Sequence, residues 1–477
     1  MAYPLSLEPL LKPFEQRVLH PWMNRGLRPL PAPGQVYPAL LEQPAKARLA
    51  YLHIPFCANH CLFCGFYRNK SNEAAMAAYV DCLIDEIARE GARPGLQASP
   101  VEAVFFGGGT PSALSARDLH RLLQALQQHL PLTPDCEITV EGRVAGFDAE
   151  KIDACLEGGA NRFSIGIQTF DTALRQRMGR KASRDEALGF LAGLVARDRA
   201  SVVCDLIYGL PRQTDEIWRE DVALCEAIGL DGVDLYCLTL HDSSPLALSI
   251  NKGALPAPAD HATAARRYQE GGEILESAGW ARVSQAHWRR SARETNRYNS
   301  ATKAGADCLA FGAGAGGMLH GHRFMQEGDT ERYQSRVRAA EKPLAAMLAP
   351  ARHHRACGGV MAALEDGVLD LTRLDQWVSP GFAAALAPLT GFWCEQGLAV
   401  EEGACLRLSA SGRYWHNNIA AQLFGLITAW LDGPQAAEPP HAGGHRPGAA
   451  HPAHMPRPAH PLSNPQEPSH ERHPHTL

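Results

Sequence analysis

Three cysteines, Cys57, Cys61 and Cys64, form a C-x3-C-x2-C pattern directly after a short apolar run. Three thiolates on one loop can bind three irons of a [4Fe-4S] cubane, and the fourth iron is then open to bind and reduce a small molecule. A structural zinc site is the alternative, with His53 and His60 as candidates to complete the four ligands that zinc needs. Metal–thiolate chemistry on this loop is therefore the first functional prediction.

A repeating strand-then-helix pattern begins at Arg48 and predicts the elements that position this loop. Six short β-rich apolar runs have the composition of parallel strands buried on both faces. They are Leu49–Ile54, Val101–Phe106, Glu137–Val140, Arg162–Ile167, Ser201–Tyr208 and Gly232–Leu238. Helical segments such as Glu73–Glu90 and Ser115–Leu130 lie between them. Six β/α units predict an α/β fold with an open or partial (β/α)6 barrel, whose chemistry gathers at the carboxyl ends of the strands.

Four of these strands carry residues that could bind a ligand at or near their carboxyl ends. The candidate residues are Gly107-Gly108-Gly109-Thr110-Pro111, Glu141, Gln168 with Gly179-Arg180 after it, and Asp205. Each alone is more often a helix cap or a satisfied loop residue. Because the carboxyl ends of parallel strands meet at one edge, these residues and the cysteine loop together predict a binding site. Arg180 is a fork donor for a carboxylate, and Asp205 can accept from an amine or from ribose hydroxyls.

The motifs HIPFC-x3-C-x2-C, FFGGGTPS, FSIGIQTF, GR and DLIYGLPRQT follow one another in this order. The series resembles the radical S-adenosylmethionine (SAM) superfamily, and within it the oxygen-independent coproporphyrinogen III oxidase branch, over about residues 48–430. The resemblance implies a [4Fe-4S] cluster on the three cysteines and two bound SAM molecules. It implies that the first SAM contacts Tyr51, Gly109 and Glu141, with Gly108 among the cofactor-binding residues, and that the second contacts Phe63, Thr110, Gln168, Arg180 and Asp205.

One position departs from the oxidase pattern. The oxidase branch resembles C-x3-C-x2-C-x-C, whereas here Phe66 stands two residues after Cys64. The run Cys64-Gly65-Phe66-Tyr67, together with Glu141-Gly142-Arg143 and the glycine-rich stretch 306–317, is similar to the heme-utilization (HutW/ChuW) branch instead. That resemblance implies a radical SAM methyltransferase that opens heme anaerobically to a linear tetrapyrrole of the anaerobilin type and releases iron.

The resemblance also implies an order of chemical steps. A deoxyadenosyl radical abstracts hydrogen from the methyl group of the second SAM, and the resulting carbon radical adds to a meso carbon of the porphyrin. A flavodoxin-like or other flavoprotein reductant is implied, because nothing in the chain supplies electrons. A heme-binding chaperone of the same superfamily and the coproporphyrinogen oxidase itself remain the alternatives.

Candidate contacts to the macrocycle follow from position in the predicted barrel. A substrate with two propionates and a central iron asks for cations or hydrogen-bonding groups at the barrel mouth, and for an imidazole or amide near the metal. His53, on the strand that delivers the cysteine loop, and Gln213 and His241, just beyond the fifth and sixth strands, are the candidates. Further candidates for the propionates are Arg289, Arg290 and Arg297.

Gly312, Gly314 and Gly317 satisfy G-x-G-x-x-G after an apolar strand. A dinucleotide site would need a helix to open at this point and a βαβ unit to follow, whereas residues 318–324 have no helical period. We expect a glycine loop that closes over the second SAM or the substrate face. A plain tight turn is the alternative.

The chain divides into four expected segments. Residues 1–46 are a proline-punctuated arm, 47–335 the barrel, 336–432 a winged-helix-like lid, and 433–477 a disordered tail rich in histidine and proline. Helices at Pro380–Gln396 and Ser409–Trp430 flank a hairpin at Leu398–Leu408 in the lid. Because residues 372–430 hold three basic residues against four acids, we expect no nucleic-acid partner.

The composition is that of an ordinary globular enzyme with a net charge of −5 and no basic block. No run approaches the roughly 18 apolar residues of a membrane span, and the first residues lack the basic and apolar regions of a signal peptide. We therefore expect a cytoplasmic protein without a membrane partner. Of the thirteen cysteines, the ten outside the loop have no paired spacing and are expected to be reduced core residues.

Overall fold

The computed structural model describes residues 3–21, 28–65 and 69–433. Phe66 and the predicted tail beyond Gly433 lie outside these ranges. The strands in chain order are β1 Arg48–Ile54, β2 Phe56–Cys57, β3 Asn69–Lys70, β4 Val101–Gly108, β5 Leu132–Gly142, β6 Arg162–Gln168, β7 Ser201–Tyr208, β8 Gly232–Cys237, β9 Ala281–Arg282, β10 His287–Arg289, β11 Asp307–Phe311, β12 Gly316–Leu319, β13 His322–Gln326, β14 Leu344–Leu348, β15 Val368–Asp370, β16 Ala399–Glu402 and β17 Cys405–Leu408.

Helices connect and cover these strands. In chain order they are α1 Pro33–Leu41, α2 Glu73–Gly91, α3 Pro94–Gln97, α4 Ala116–His129, α5 Ala149–Glu157, α6 Thr172–Arg177, α7 Arg184–Arg197, α8 Asp215–Ile228, α9 Pro245–Asn251, α10 His261–Ser277, α11 Arg297–Lys303, α12 Thr330–Arg338, α13 His354–Asp366, α14 Leu371–Trp377, α15 Phe382–Ala385, α16 Ala387–Glu395, α17 Ala410–Tyr414 and α18 His416–Asp432. Ser115 caps α4, since its side chain accepts a hydrogen bond from the backbone N–H of Asp118.

Twelve strands form one sheet in the order β14-β13-β12-β11-β1-β4-β5-β6-β7-β8-β10-β9. The six predicted strands are adjacent and parallel, and β11 adds a seventh parallel strand beside β1. The outer strands at both ends pair antiparallel. Because β14 and β9 do not pair, the sheet is open, and the predicted α/β fold with a partial barrel is confirmed.

The N-terminal segment contacts the body of the protein at two places. Near its start, the Tyr3 N–H donates to the Trp430 carbonyl at 3.1 Å, at the end of α18. Further along, the Leu30 N–H donates to the Met347 carbonyl in β14 at 2.8 Å, and the Tyr37 ring in α1 meets Phe324 edge-on at 5.1 Å. This segment therefore bridges the sheet and the C-terminal helices.

The C-terminal region has its own apolar core and a small sheet in the order β15-β17-β16. The predicted hairpin is present, and Gly403 makes its turn with φ +63°. The single helix predicted over Pro380–Gln396 is wrong, because the chain forms α15 and α16 with a break at Leu386. Pro388 in the first turn of α16 has no N–H, so a continuous helix would lose a hydrogen bond there.

Three further observations bear on the sequence predictions. Strand β14 falls within the segment 336–432 but pairs with β13 in the main sheet. Among the described residues, no helix has both the length and the apolar character needed to cross a membrane. Of the ten cysteines outside the loop, six are buried and four partly exposed, and all are free thiols.

Candidate active site

The cysteine loop follows β1 at the carboxyl edge of the parallel sheet. Cys57 and Cys61 are buried and Cys64 is partly exposed. The segment after β6 holds this loop, since the Asn59 side chain donates to the Gly179 carbonyl at 2.7 Å and the Leu62 N–H donates to the Met178 carbonyl at 3.1 Å. The loop is therefore fixed to the strand end that carries Gln168 and Arg180.

The glycine turn after β4 packs closely against the segment that leads into the cysteine loop. Gly108 has φ +109°, and a β-carbon there would lie 2.6 Å from the His53 ring. A β-carbon on Gly109 would lie 2.6 Å from the Phe56 carbonyl oxygen. Glycine is required at both positions because no side chain fits. The hydroxyl of the next residue, Thr110, lies 2.7 Å from the Gly109 carbonyl oxygen, to which it donates, and 3.5 Å from the Cys57 sulfur.

Gln168 and Arg180 form one buried unit at the end of β6. The Arg180 guanidinium donates to the Gln168 side-chain oxygen through both Nε, at 3.0 Å, and Nη2, and to the Gly166 carbonyl at 2.7 Å. It also lies 6.0 Å from the centre of the Phe63 ring. Burial lowers the pKa of Arg180, while the nearby Cys61 sulfur opposes that effect. The unit places a cation beside the cysteine loop.

The site contains two carboxylates, Glu141 in β5 and Asp205 in β7. Burial, reinforced by the charge of Asp205, raises the pKa of Glu141 to about 8. Burial and the neighbouring Asp234 raise the pKa of Asp205 to about 7, although Ser164 donates to it at 3.2 Å. Tyr51 and Glu141 approach each other over Gly107, whose β-carbon would lie 3.1 and 3.2 Å from them. These carboxylates are suited to bind a cationic ligand.

The two histidine candidates both lie at this edge. The Tyr51 hydroxyl and His53 Nδ1 are 3.0 Å apart and share a hydrogen bond. The His241 ring packs against Gly65, where a β-carbon would lie 2.9 Å from the imidazole. His241 therefore adjoins the cysteine loop, and His53 adjoins the glycine turn after β4.

The Gln213 side chain makes its hydrogen bonds within its own turn and not with the other candidate residues that the structure describes. It is 5% exposed, and its amide oxygen accepts from the N–H groups of Gly209 and Leu210 while its amide nitrogen donates to the Ile207 carbonyl. Its side chain thus closes the turn after β7. We therefore assign Gln213 to the loop structure and leave it out of the ligand site.

The three arginine candidates for propionate binding are wrong, because the structure places them at the opposite edge of the sheet. Arg289 pairs with Gly232 at the start of β8, and Arg290 lies beside Gly229. Arg297 donates to the Asp135 carboxylate at 3.0 Å, near the start of the β4 and β5 strands. Strand β10 runs antiparallel to β8 and brings this segment back to the amino ends, which the local sequence does not reveal.

The glycine-rich stretch after β11 is a tight turn. Gly312 and Gly314 have φ +99° and +78°, and the antiparallel strand β12 follows. A β-carbon on Gly312 would lie 2.5 Å from the Tyr79 hydroxyl and 2.6 Å from the His53 carbonyl. The absence of a helix from this part of the described chain agrees with our rejection of a dinucleotide site.

A cavity of about 270 Å³ opens beside the cysteine loop. Its basic lining residues are Arg143, Lys151, Arg175, Arg180 and Lys181, and no acidic residue among those that the structure describes lines it. Sequence reasoning used Arg143 only as a family marker and missed Lys151 and Arg175. The spacing of Arg143 from Glu141, two residues along the same strand end, was the available signal.

The residues present fit an iron–sulfur cluster. Three free thiols share one loop, cations lie beside them, and the Arg143 guanidinium donates to the Cys57 sulfur. A structural zinc site would need a fourth ligand to converge with these three thiols.

Comparison with known proteins places the chain. The family model of the radical SAM superfamily matches residues 51–225. The anaerobilin synthase of Escherichia coli O157:H7 is 46% identical over 398 residues, which cover 83% of this chain and 88% of that relative. The heme chaperone HemW of Lactococcus lactis is 31% identical over 60% of this chain and 74% of its own length.

A solved structure shares the fold. Coproporphyrinogen III oxidase (HemN) of Escherichia coli, a radical SAM enzyme, matches with a TM-score of 0.71 and 20% identity, over 88% of this chain and 99% of that one. Members of the superfamily use a [4Fe-4S] cluster and SAM. We conclude from the cysteine loop, the partial barrel and these relatives that the chain belongs to the radical SAM superfamily, in the family that includes anaerobilin synthase.

Proposed function

We propose that this chain is a cytoplasmic radical SAM methyltransferase that opens heme anaerobically to a linear, anaerobilin-type tetrapyrrole and releases the iron. The carrying observation is the 46% identity to an anaerobilin synthase across 88% of that relative. The Glu141-Gly142-Arg143 motif, retained beside the cysteine loop, supports the same assignment.

Cys57, Cys61 and Cys64 would hold the cluster, which when bound supplies the electron that cleaves SAM. The loop contacts from Asn59 to Gly179 and from Leu62 to Met178 fix the positions of these thiols. A fixed loop keeps the radical chemistry at one place and away from solvent.

Two SAM molecules would bind at the carboxyl edge. For the first, Tyr51, Glu141 and the backbone at Gly108 and Gly109 lie together around Gly107. For the second, Thr110, Phe63, Arg180, Gln168 and Asp205 are the predicted contacts. The direct bonds between Arg180 and Gln168 support a shared role in orienting one ligand.

Heme would bind near His53 and His241, since the His241 imidazole adjoins the cysteine loop and the His53 imidazole adjoins the glycine turn after β4. Either ring could act as an iron ligand or as a hydrogen-bond partner. Electrons would come from a flavodoxin-like or other flavoprotein partner, because each SAM cleavage consumes one electron and opening of the ring consumes more.

A heme-binding chaperone is the second candidate function. The 31% identity to HemW over 74% of that protein favours it. A chaperone would carry heme without consuming it. The oxidase alternative has support from the fold alone, at 20% identity.

Anaerobic incubation of reconstituted protein with heme, SAM and a reductant distinguishes these functions. We expect the heme absorbance to fall with time in proportion to SAM cleaved. Stoichiometric heme binding with a stable Soret band would establish the chaperone and overturn the proposal. The Cys64→Ala variant is the matched control, and it should lose both the brown cluster and SAM cleavage.

A further inference from the structure

Arg143 contacts the cysteine loop from the end of β5. Its Nη2 donates to the Cys57 sulfur at 3.6 Å, and its Nη1 donates to the Asn59 carbonyl at 3.3 Å. Its own backbone N–H donates to the Ser112 hydroxyl at 3.3 Å. Both guanidinium bonds go to the cysteine loop, and the Cys57 bond directs the cation at one of the three thiols.

The surroundings of Cys57 strengthen the electrostatic effect of the Arg143 charge. Cys57 is 1% exposed, and the Thr110 hydroxyl lies 3.5 Å from the same sulfur. In the described part of the chain, no carboxylate lies within ion-pair distance of Arg143, so its charge is not cancelled by a direct partner. Electrostatic interactions are stronger in a buried site than in water.

We propose that Arg143 is a positioning residue that stabilises the reduced cluster by a charge-assisted hydrogen bond to the Cys57 thiolate. Reduction adds one negative charge to the cluster, so a cation bonded to a ligand sulfur favours the reduced form and raises the reduction potential. A higher reduction potential makes the cluster easier for an electron donor to reduce. This inference rests on the cluster assigned to Cys57 in the proposed function.

Lys151 supplies a matched control from the same cavity. Its Nζ donates to the Ser112 and Gly146 carbonyls at 3.1 and 2.8 Å, and no hydrogen bond links it to a cysteine. Arg143→Met and Lys151→Met each remove one positive charge from the cavity lining. Only the first removes a hydrogen bond to sulfur.

The test is a redox titration of the reconstituted cluster, without SAM or heme, with dithionite and mediators and with the reduced cluster followed by electron paramagnetic resonance. We expect a lower midpoint potential in Arg143→Met, so that at the wild-type midpoint the ratio of reduced to oxidised cluster falls about tenfold, the size expected for a charged hydrogen bond. Lys151→Met should change that ratio far less, and Arg143→Lys should lie between wild type and Arg143→Met.

An unchanged potential in Arg143→Met, or an equal shift in Lys151→Met, would overturn the proposal. If Arg143→Met fails to retain iron and sulfide, Arg143→Lys decides, since a lower potential there supports the proposal and a wild-type potential refutes it. The titration contains no heme. Failure of heme opening would therefore refute the proposed function without affecting this result, and an unchanged potential would leave the proposed function standing.

Discussion

In the proposed SAM sites, Glu141 and Asp205 are the residues whose protonation we expect to affect ligand binding most directly. Their pKa values are raised to about 8 and about 7, mainly by burial. Both carboxyls therefore carry protons over part of the neutral range. A ligand with ammonium and sulfonium groups favours the ionised carboxylates, so binding it must release protons.

We predict that SAM affinity increases from pH 6 to pH 8 and that SAM binding near pH 7 releases protons. The sign follows because raising the pH through both pKa values produces the carboxylates that the cation needs. Calorimetry at pH 7 in buffers of different ionisation enthalpy measures the protons released. Glu141→Gln and Asp205→Asn should each reduce that number, and proton uptake by the wild type would contradict the assignment.

Arg180 gives a second prediction at this scale. Arg180→Met should leave the cluster intact and weaken binding of the second SAM, so methyl transfer should fall much more than SAM cleavage. The matched control is Arg290→Met, since Arg290 lies at the opposite edge of the sheet. Equal loss of both activities would move Arg180 to the first SAM.

Residue types at strand ends could be predicted from the sequence, but their partners could not. The cysteines, Gly108, Gln168 and Arg180 lie together because parallel strands share a carboxyl edge. Gln213 has the same sequence signature as a ligand contact, and only the structure shows that its amide serves its own turn.

At the element scale, the glycine turn after β4 is the part of the site most sensitive to substitution. Gly108→Ala combines φ +109° with a β-carbon 2.6 Å from the His53 ring, so we expect a loss of about 1–3 kcal/mol in the free energy of unfolding. Gly189→Ala in α7 is the control, because nothing lies within 4 Å of its β-carbon. Alanine there should stabilise the helix by about 0.5–1 kcal/mol.

Chemical denaturation of the two variants measures both effects. Equal stabilities would show that the turn relaxes freely.

The six parallel strands were predictable because buried strands are continuous apolar runs. The short strands β9, β10 and β15 were not, because two or three residues carry no period and their pairing depends on distant chain.

At the scale of the whole molecule, a buried ionic cluster holds the amino edge of the sheet. Arg162 in β6 pairs with Glu294 at 2.9 Å, and His287 in β10 lies 3.1 Å from Asp234 and 3.3 Å from Glu294. Despite burial, the two carboxylates raise the pKa of His287 to about 9. Despite burial as well, Arg162 lowers the pKa of Glu294 to about 2.

We predict that Glu294→Gln lowers the free energy of unfolding by about 3–5 kcal/mol, because it leaves Arg162 buried without its partner. In the wild type, the contribution of His287 should be complete below about pH 6.5 and be lost as the pH rises through about 9. Urea unfolding at pH 6 and pH 9.5 measures this loss. A His287→Gln variant should show a smaller difference between the two pH values, and an identical difference would contradict the assigned pKa.

The central claim is that the chain transfers a methyl group to heme while opening its ring. Mass spectrometry of the tetrapyrrole after anaerobic turnover with trideuteromethyl-SAM tests this claim most directly. We predict a linear product that has gained one methyl group derived from SAM, with two deuteriums retained because one deuterium is abstracted before addition and a solvent proton replaces it. Unmodified heme recovered after SAM cleavage, or a product without label, would contradict the account.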